Sequence, residues 1–251
     1  METELLDNLS TQAPDSAIKP EIKRQTRELK KKLSELQNVF YANGQHALLI
    51  IFQGVDASGK DGTVRKVFSG VNPAGCHVKS WKVPSEEERQ YDFLWRIHKH
   101  VPPKGMIHIF NRSHYEDIIV PRVKNLVPSE QLQKRYDYIN AFERLLKEEN
   151  NTIVLKFYLH ISKEEQIKRL NERLEDPRKR WKYDPGDFIA HSHWDSYMQT
   201  YQEVFEQCCE AADWHVVPAD QKWYRNFTVI QKVVERMDQL NLAYPSQIKN
   251  N

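Results

Sequence analysis

Five short apolar runs alternate along the chain with longer segments whose apolar residues recur at helical spacing. The runs Ala47 to Gln53, His77 to Lys82, Met106 to Phe110, Thr152 to Ile161 and Trp214 to Val217 read as strands. Between them lie helix-compatible segments at Gly62 to Ser69, Glu86 to His100, Ser129 to Asn150, Lys163 to Leu174, Phe188 to Glu210 and Lys222 to Leu240. An earlier helix opens at Pro20, lines Ile22, Leu29, Leu33, Leu36 and Phe40 along one stripe, and closes at Asn43-Gly44. Its Lys30-Lys31-Lys32 run reads as a solvated face. Strands alternating with helices predict a parallel sheet with helices packed on it. Residues 1–19 and 245–251 lack the pattern and read as poorly ordered tails, so 20–244 is expected to form one domain.

A chain of 251 residues has room for one sizeable α/β core. Its net charge of +2 gives no reason to expect a nucleic-acid partner, because polyanion binders carry a larger excess or a concentrated patch. The three cysteines, Cys76, Cys208 and Cys209, are odd in number and lack metal-site spacing, which fits a reducing cytoplasm. No apolar stretch approaches the roughly 18 residues a membrane span needs, and the first twenty residues lack a leader pattern. A cytoplasmic protein with no membrane partner is expected.

In an open parallel sheet, chemistry gathers at the carboxyl ends of the strands, and three segments qualify. The first is Gly54 to Thr63, GVDASGKDGT, directly after the first strand. Gly54, Gly59 and Lys60 fit the Gly-x-x-x-x-Gly-Lys turn of a phosphate-binding loop, in which backbone N–H groups, a helix N-terminus and one lysine converge on phosphate oxygens. Ala57, Ser58, Asp61, Gly62, Thr63 and, one turn on, Lys66 complete the candidate phosphate contacts. Asp61 stands where a magnesium-binding Ser or Thr is usual. Carboxylates beside phosphates repel them unless a dication intervenes, so Asp56 and Asp61 point to Mg²⁺, with Mn²⁺ as a substitute.

The second segment follows Phe110: Asn111, Arg112, Ser113, His114, Tyr115, Glu116 and Asp117. Such a polar cluster suits the second metal-binding and transition-state groups of a phosphoryl-transfer enzyme. Asn111 is a weak metal ligand and Glu116 supplies the missing charge, while Arg112 can fork onto phosphate oxygens. Arg112 therefore joins Asp56 and Lys60 as the catalytic candidates. The third segment is a basic run. Arg169 and Arg173 share a helix face, Pro177 ends that helix, and Arg178, Lys179, Arg180 and Lys182 follow as a flap able to close over a polyanion. His191-x-His193 lacks the other ligands of a zinc site. Trp181, Tyr183, Trp194 and Trp223 can stack on a purine or simply pack.

GVDASGKDGT, FNRSHYED at Phe110, LVPSEQLQKRY at Leu126, IVLKFYLHISKEEQ at Ile153, DPRKRWKYDPGDF at Asp176 and PADQKWYRN at Pro218 together resemble the polyphosphate kinase type 2 family. Asn111, His114 and Glu116 resemble its class III branch, where class I would show Asp, Trp and Asn. The resemblance implies a P-loop, thymidylate-kinase-like α/β fold: a five-stranded parallel sheet flanked by helices, with a helical lid at about 169–187. It implies transfer of the terminal phosphoryl group of inorganic polyphosphate to nucleoside mono- and diphosphates, adenine preferred, in a homo-oligomer (dimer or tetramer). On that reading Asp56 is an acidic catalytic or metal residue, Lys60 a phosphate clamp, Arg112 the transition-state cation, and the lid cations contact the polymer. An ATP-dependent nucleotide kinase and a non-catalytic polyanion-binding module are the rival readings.

Overall fold

The architecture comes from a computed structural model that describes residues 5–246. Five strands, β1 (Ala47–Gln53), β2 (Cys76–Ser80), β3 (Ile107–Asn111), β4 (Thr152–His160) and β5 (Trp214–Pro218), form one parallel sheet in the order β2-β3-β1-β4-β5. β1 and β4 are buried at every position, which is why both are predominantly apolar, with the buried Lys156 the exception within β4. Connections leave the neighbouring strands β1 and β3 in opposite directions along the sheet. That reversal opens a crevice at their carboxyl ends. Register sets Phe52 beside Asn111 and Gln53 beside Tyr158, so the loops after β1 and β3 start side by side.

The helices are α1 (Lys19–Asn43), α2 (Lys60–Val67), α3 (Trp95–His98), α4 (Glu116–Val123), α5 (Ser129–Asn150), α6 (Lys163–Glu175), α7 (Pro185–Ser192), α8 (Trp194–Gln207) and α9 (Lys222–Asp238). α1 carries Pro20 in its first turn and is capped by Gly44, whose left-handed φ of 64° lets its N–H donate to the Phe40 carbonyl. The expected helix at 86–100 is broken: a short turn at Glu88–Gln90 precedes α3, and Asp92 Oδ1 caps the N–H groups of Leu94 and Trp95. The helix expected at 188–210 is two, α7 and α8, divided at His193, and α7 starts earlier because Asp184 caps Gly186 N–H at 2.8 Å. α4 was not expected at all.

Residues 5–18, expected as a loose tail, are docked. Leu6 is buried and its N–H donates to Gln202 Oε1 (3.0 Å), while Thr11 Oγ1 donates to Asp220 Oδ2 (2.8 Å). An apolar anchor and side-chain partners far along the chain offset the ordering entropy that low periodicity alone suggested would win. Residues 1–4 and 247–251 lie outside the described residues. Among the described residues no helix is long and apolar enough to cross a membrane.

Candidate active site

The loop from Gly54 to Gly59 turns tightly off β1 into α2. Gly54 has φ 144°, and a Cβ there would press on Leu159 O and Ser58 Oγ at 2.9 Å; at Gly59, φ 101°, it would run into Arg225 Nη1. Ala57 also takes a left-handed φ of 61°. Lys60, at the start of α2, folds back over the loop, donating to Gly54 O (2.6 Å), Val55 O (3.1 Å) and Ser58 Oγ (3.4 Å). Its ammonium is pushed down to about 8 by burial and by Arg112, against the pull of Asp56 and Glu116. The Thr63 hydroxyl donates to Gly59 O within its own helix.

Arg112 emerges from β3 with a left-handed φ of 64°. Among the described residues, Ala57 and Arg112 are the two with positive φ that are neither Gly nor Asn, and both sit at this crevice. The Arg112 guanidinium pairs with Asp56 Oδ1 and lies 3.9 Å from Glu116 Oε2. Glu116 and Asp56 hold it charged despite burial. Burial alone would raise the Asp56 carboxyl, but Arg112, Lys60 and Arg173 bring it below its ordinary value; at Glu116 burial prevails over Arg112 and Lys60 and the carboxyl is raised. Oriented to satisfy both neighbours, the Gln53 amide donates to Glu116 Oε1 at 2.9 Å.

The lid lies over this frame. Arg173, near the end of α6, donates to Asp187 on α7 and to Lys182 O (3.3 Å), and Lys182 Nζ reaches Asp61 Oδ2 (2.8 Å). Burial and the neighbouring Asp56 push the Asp187 carboxyl up to about 6. Arg178 pairs with Asp176, Lys179 with Glu172, and Arg180 Nε with Leu174 O, all toward the surface. Between frame and lid runs a cleft of about 220 Å³. Its lining mixes charged groups, Asp56, Arg112, Glu116 and Asp187, with apolar and aromatic ones, Val83, Ile119, Val120, Ala190, Trp194 and Tyr197. A larger depression of about 400 Å³ between α1 and α9 holds none of the expected site residues.

Sequence order brought the right segments together but not every side chain. His114 and Tyr115 point into the core, where Glu143 Oε1 accepts from Tyr115 OH (2.7 Å) and lies 3.3 Å from His114 Nε2; Lys156 Nζ closes the network on Glu143 Oε2 at 2.8 Å. All four side chains are fully buried. Asp117 is taken by Arg96 (3.0 Å). Arg169 faces loop carbonyls rather than the cleft, donating to Ala57 O and Ser58 O at 3.1 Å. Lys66 is exposed near Lys30, whose ammonium burial and then Lys66 depress, and it does not line the cleft. Asp61 has its oxygens on Asn111 Nδ2 and Lys182 Nζ. Of the four aromatic candidates Trp194 lines the cleft, whereas Trp181 is 77% exposed.

Among the site residues that were missed, three stand out. Asp187 lies in a stretch read for its basic charge and its family likeness, not for its acids. Gln166 and Arg225 sit on amphipathic helices, and their contacts with the loop exist only once α6 and α9 pack beside it. PADQKWYRN, following the last strand, was the available signal for Arg225.

The donor chemistry fits a hard dication. Asp56 and Glu116 bring carboxylate oxygens to the cleft, while among the described residues no group of three or more His, Cys, Asp or Glu is spaced to cage a metal. An octahedral ion held by one or two carboxylates and completed by phosphate oxygens is the type that suits such a set.

The profile of the polyphosphate kinase 2 family matches residues 17–245. The AMP/ADP-polyphosphate phosphotransferase of Meiothermus ruber is 52% identical over 218 residues, covering 86% of this chain and 81% of that protein. The ADP-polyphosphate phosphotransferase of Rhodopseudomonas palustris is 42% identical over 227 residues, 85% and 78% of the two chains. The crystal structure of polyphosphate kinase 2 from Arthrobacter aurescens superposes with a TM-score of 0.95 at 38% identity, across 100% of this chain and 90% of that one.

Proposed function

Because the chain belongs to the polyphosphate kinase 2 family, we propose that it transfers the terminal phosphoryl group of inorganic polyphosphate to AMP and ADP, and runs the transfer in reverse. The observation that carries this reading is the pairing of Asp56 with Arg112 in one cleft, with Lys60 on the adjoining loop in electrostatic reach of both, in a chain half identical to a relative named for that activity. A terminal phosphate oxygen of the acceptor attacks the terminal phosphorus of the polymer, one P–O bond forms, and the bridging P–O bond breaks toward the shortened chain. The acceptor oxygen is already anionic, so no strong general base is needed and positioning with charge neutralisation carries the rate.

Lys60 and the loop amides hold the donor's phosphates, and Arg112 gathers charge on the migrating group. Asp56 and Glu116 are the residues that would hold Mg²⁺; Asp61, occupied by Asn111 and Lys182, is left out of that set. When bound, the ion supplies charge neutralisation across donor and acceptor phosphates. The acceptor's nucleoside rests against the aromatic lining of the cleft, Trp194 and Tyr197. Arg173 and the cations from Arg178 to Lys182 close over the polymer, which is where the wet cleft loses its water. Adenine as the preferred base follows the Meiothermus ruber relative's name. A cytoplasmic location follows the free state of all three cysteines, and assembly as a dimer or tetramer is checked by light scattering.

The test is incubation with polyphosphate, Mg²⁺ and AMP or ADP, with no ATP, and nucleotides separated by chromatography. ADP from AMP, and ATP from ADP, are expected. Phosphorylation of AMP only when ATP is supplied would mark an ordinary nucleotide kinase, and no transfer from either donor would leave a polyanion-binding module.

A further inference from the structure

Three successive carbonyls of the phosphate-binding loop are each gripped by a side chain from far along the sequence. Gln166 Nε2 donates to Asp56 O (3.0 Å), Arg169 Nη1 to Ala57 O and Ser58 O (both 3.1 Å), and Arg225 Nη1 to Ser58 O (3.2 Å). Arg169 spends its other donors on Glu165 Oε1 (2.7 Å) and on the carbonyls of Ala219 and Asp220 (both 2.8 Å). Arg225 is held by Asn226 Oδ1 at 3.1 and 3.3 Å. Both arginines are at least nine-tenths buried. A guanidinium has five N–H groups, and those of Arg169 are all engaged by protein oxygens, which leaves it none to offer a phosphate.

A trans peptide sets each C=O opposite the next N–H, so turning the carbonyls of residues 56–58 toward α6 and α9 turns the following amides to the loop's other face. Ser58 N–H there closes the turn on Val55 O (3.2 Å), while those of Ala57 and Gly59 belong to the concave nest that receives an anion. The left-handed backbone at Ala57 is strained, and the grip offsets that strain. We propose that Gln166, Arg169 and Arg225 are positioning residues, which hold the loop in its anion-receiving form before substrate arrives and act on turnover through the backbone rather than by touching phosphate. This rests on the polyphosphate-transfer reading only for its kinetic arm.

Arg169→Lys and Arg225→Lys keep the charge and remove the fork, so a role through charge alone survives them. For both variants we expect amide hydrogen exchange at residues 57–60, measured without substrate, to accelerate at least tenfold while β1 stays protected. Turnover with polyphosphate should fall roughly 30- to 300-fold with the acceptor's KM within about threefold. In Arg169→Gln and Arg225→Gln, which remove the charge as well, the slope of log KM for polyphosphate against log salt should stay that of the wild type, since a direct phosphate contact would flatten it by about 0.7 per cation lost, as on a single-stranded polyanion. Unchanged exchange at 57–60, or a flattened slope, overturns the proposal. Should one variant fail to fold, the other carries the test. If the wild type transfers nothing from polyphosphate, that reading falls while the exchange arm still decides this one.

Discussion

At the carboxyl ends of β1 and β3 the cations are fixed by partners within the frame, Lys60 buried and Arg112 partly exposed. Lys60 is folded onto loop oxygens, and Arg112 lies between Asp56 and Glu116. Beneath them Lys156 is locked on Glu143 with neither exposed. Across the cleft, Arg178, Lys179 and Arg180 pair with neighbours on their own surface, contacts that water and salt compete for. The same residue types therefore do two kinds of work. The frame set is preorganised by its fixed partners, as stabilisation of developing charge demands, whereas the lid set is held weakly enough to trade its partners for a polymer. Arg173, paired with Asp187 and reaching Lys182 O, joins the two.

The largest effect separating the two regions should be on stability. Burial alone would raise the Glu143 carboxyl, but Lys156 and His114 bring it down to about 2. Glu143→Gln leaves the Lys156 ammonium buried without its counter-charge and should cost about 3 kcal/mol or more, lowering Tm by roughly 6–12 °C. Neutralising Arg178, Lys179, Arg180 and Lys182 together should move Tm by no more than about 2 °C. Because the folded pKa is depressed, Glu143's contribution is complete above its unfolded value of about 4.3 and is lost as pH falls toward 2. The Tm gap between wild type and Glu143→Gln should therefore shrink between about pH 5 and pH 3 in calorimetric scans. A gap independent of pH would mean that the carboxylate's charge is not what stabilises the network.

Next in size is turnover. Lys60→Ala and Arg112→Ala each remove a cation that acts at the cleft and should lower kcat about a hundredfold, near 3 kcal/mol, with Tm largely kept. Steady-state kinetics showing near-normal kcat in either variant would break the comparison on its frame side. Arg173→Ala should fall between the regions, lowering kcat about tenfold and raising the polyphosphate KM severalfold, because Arg173 belongs to the lid yet is held by Asp187 beside the cleft. An effect on KM alone would move Arg173 into the surface set.

The sheet and the loop after β1 were readable because each rests on local pattern: buried parallel strands are apolar throughout, and a Gly-x-x-x-x-Gly-Lys turn carries its geometry in its glycines. What failed depends on packing. After Phe110, nothing in the order Asn111 to Asp117 says which side chains face the cleft; Arg112 does, while His114 and Tyr115 turn down to Glu143. Glu116 to Val123 hid a helix behind β-branched residues and Pro121, which tertiary contacts with α5 and α8 override. Arg169 was assigned to phosphate because its charge is visible in sequence, whereas the carbonyls that consume it come from the loops after β1 and β5. The helix expected across 86–100 was lost to Asp92, whose side chain starts a new turn instead.

The division of labour is tested most directly by measuring kcat and polyphosphate KM across a salt series for the wild type, Arg112→Ala and the variant neutralised at Arg178, Lys179, Arg180 and Lys182. The account predicts that Arg112→Ala lowers kcat about a hundredfold and keeps most of the wild-type salt slope, while the lid variant keeps kcat within about threefold, raises KM at least tenfold at low salt and flattens the slope by one or more units. If both variants shift the same constant, or if the lid variant leaves KM and its salt slope where the wild type has them, the two sets of cations do not do different work and the account is wrong.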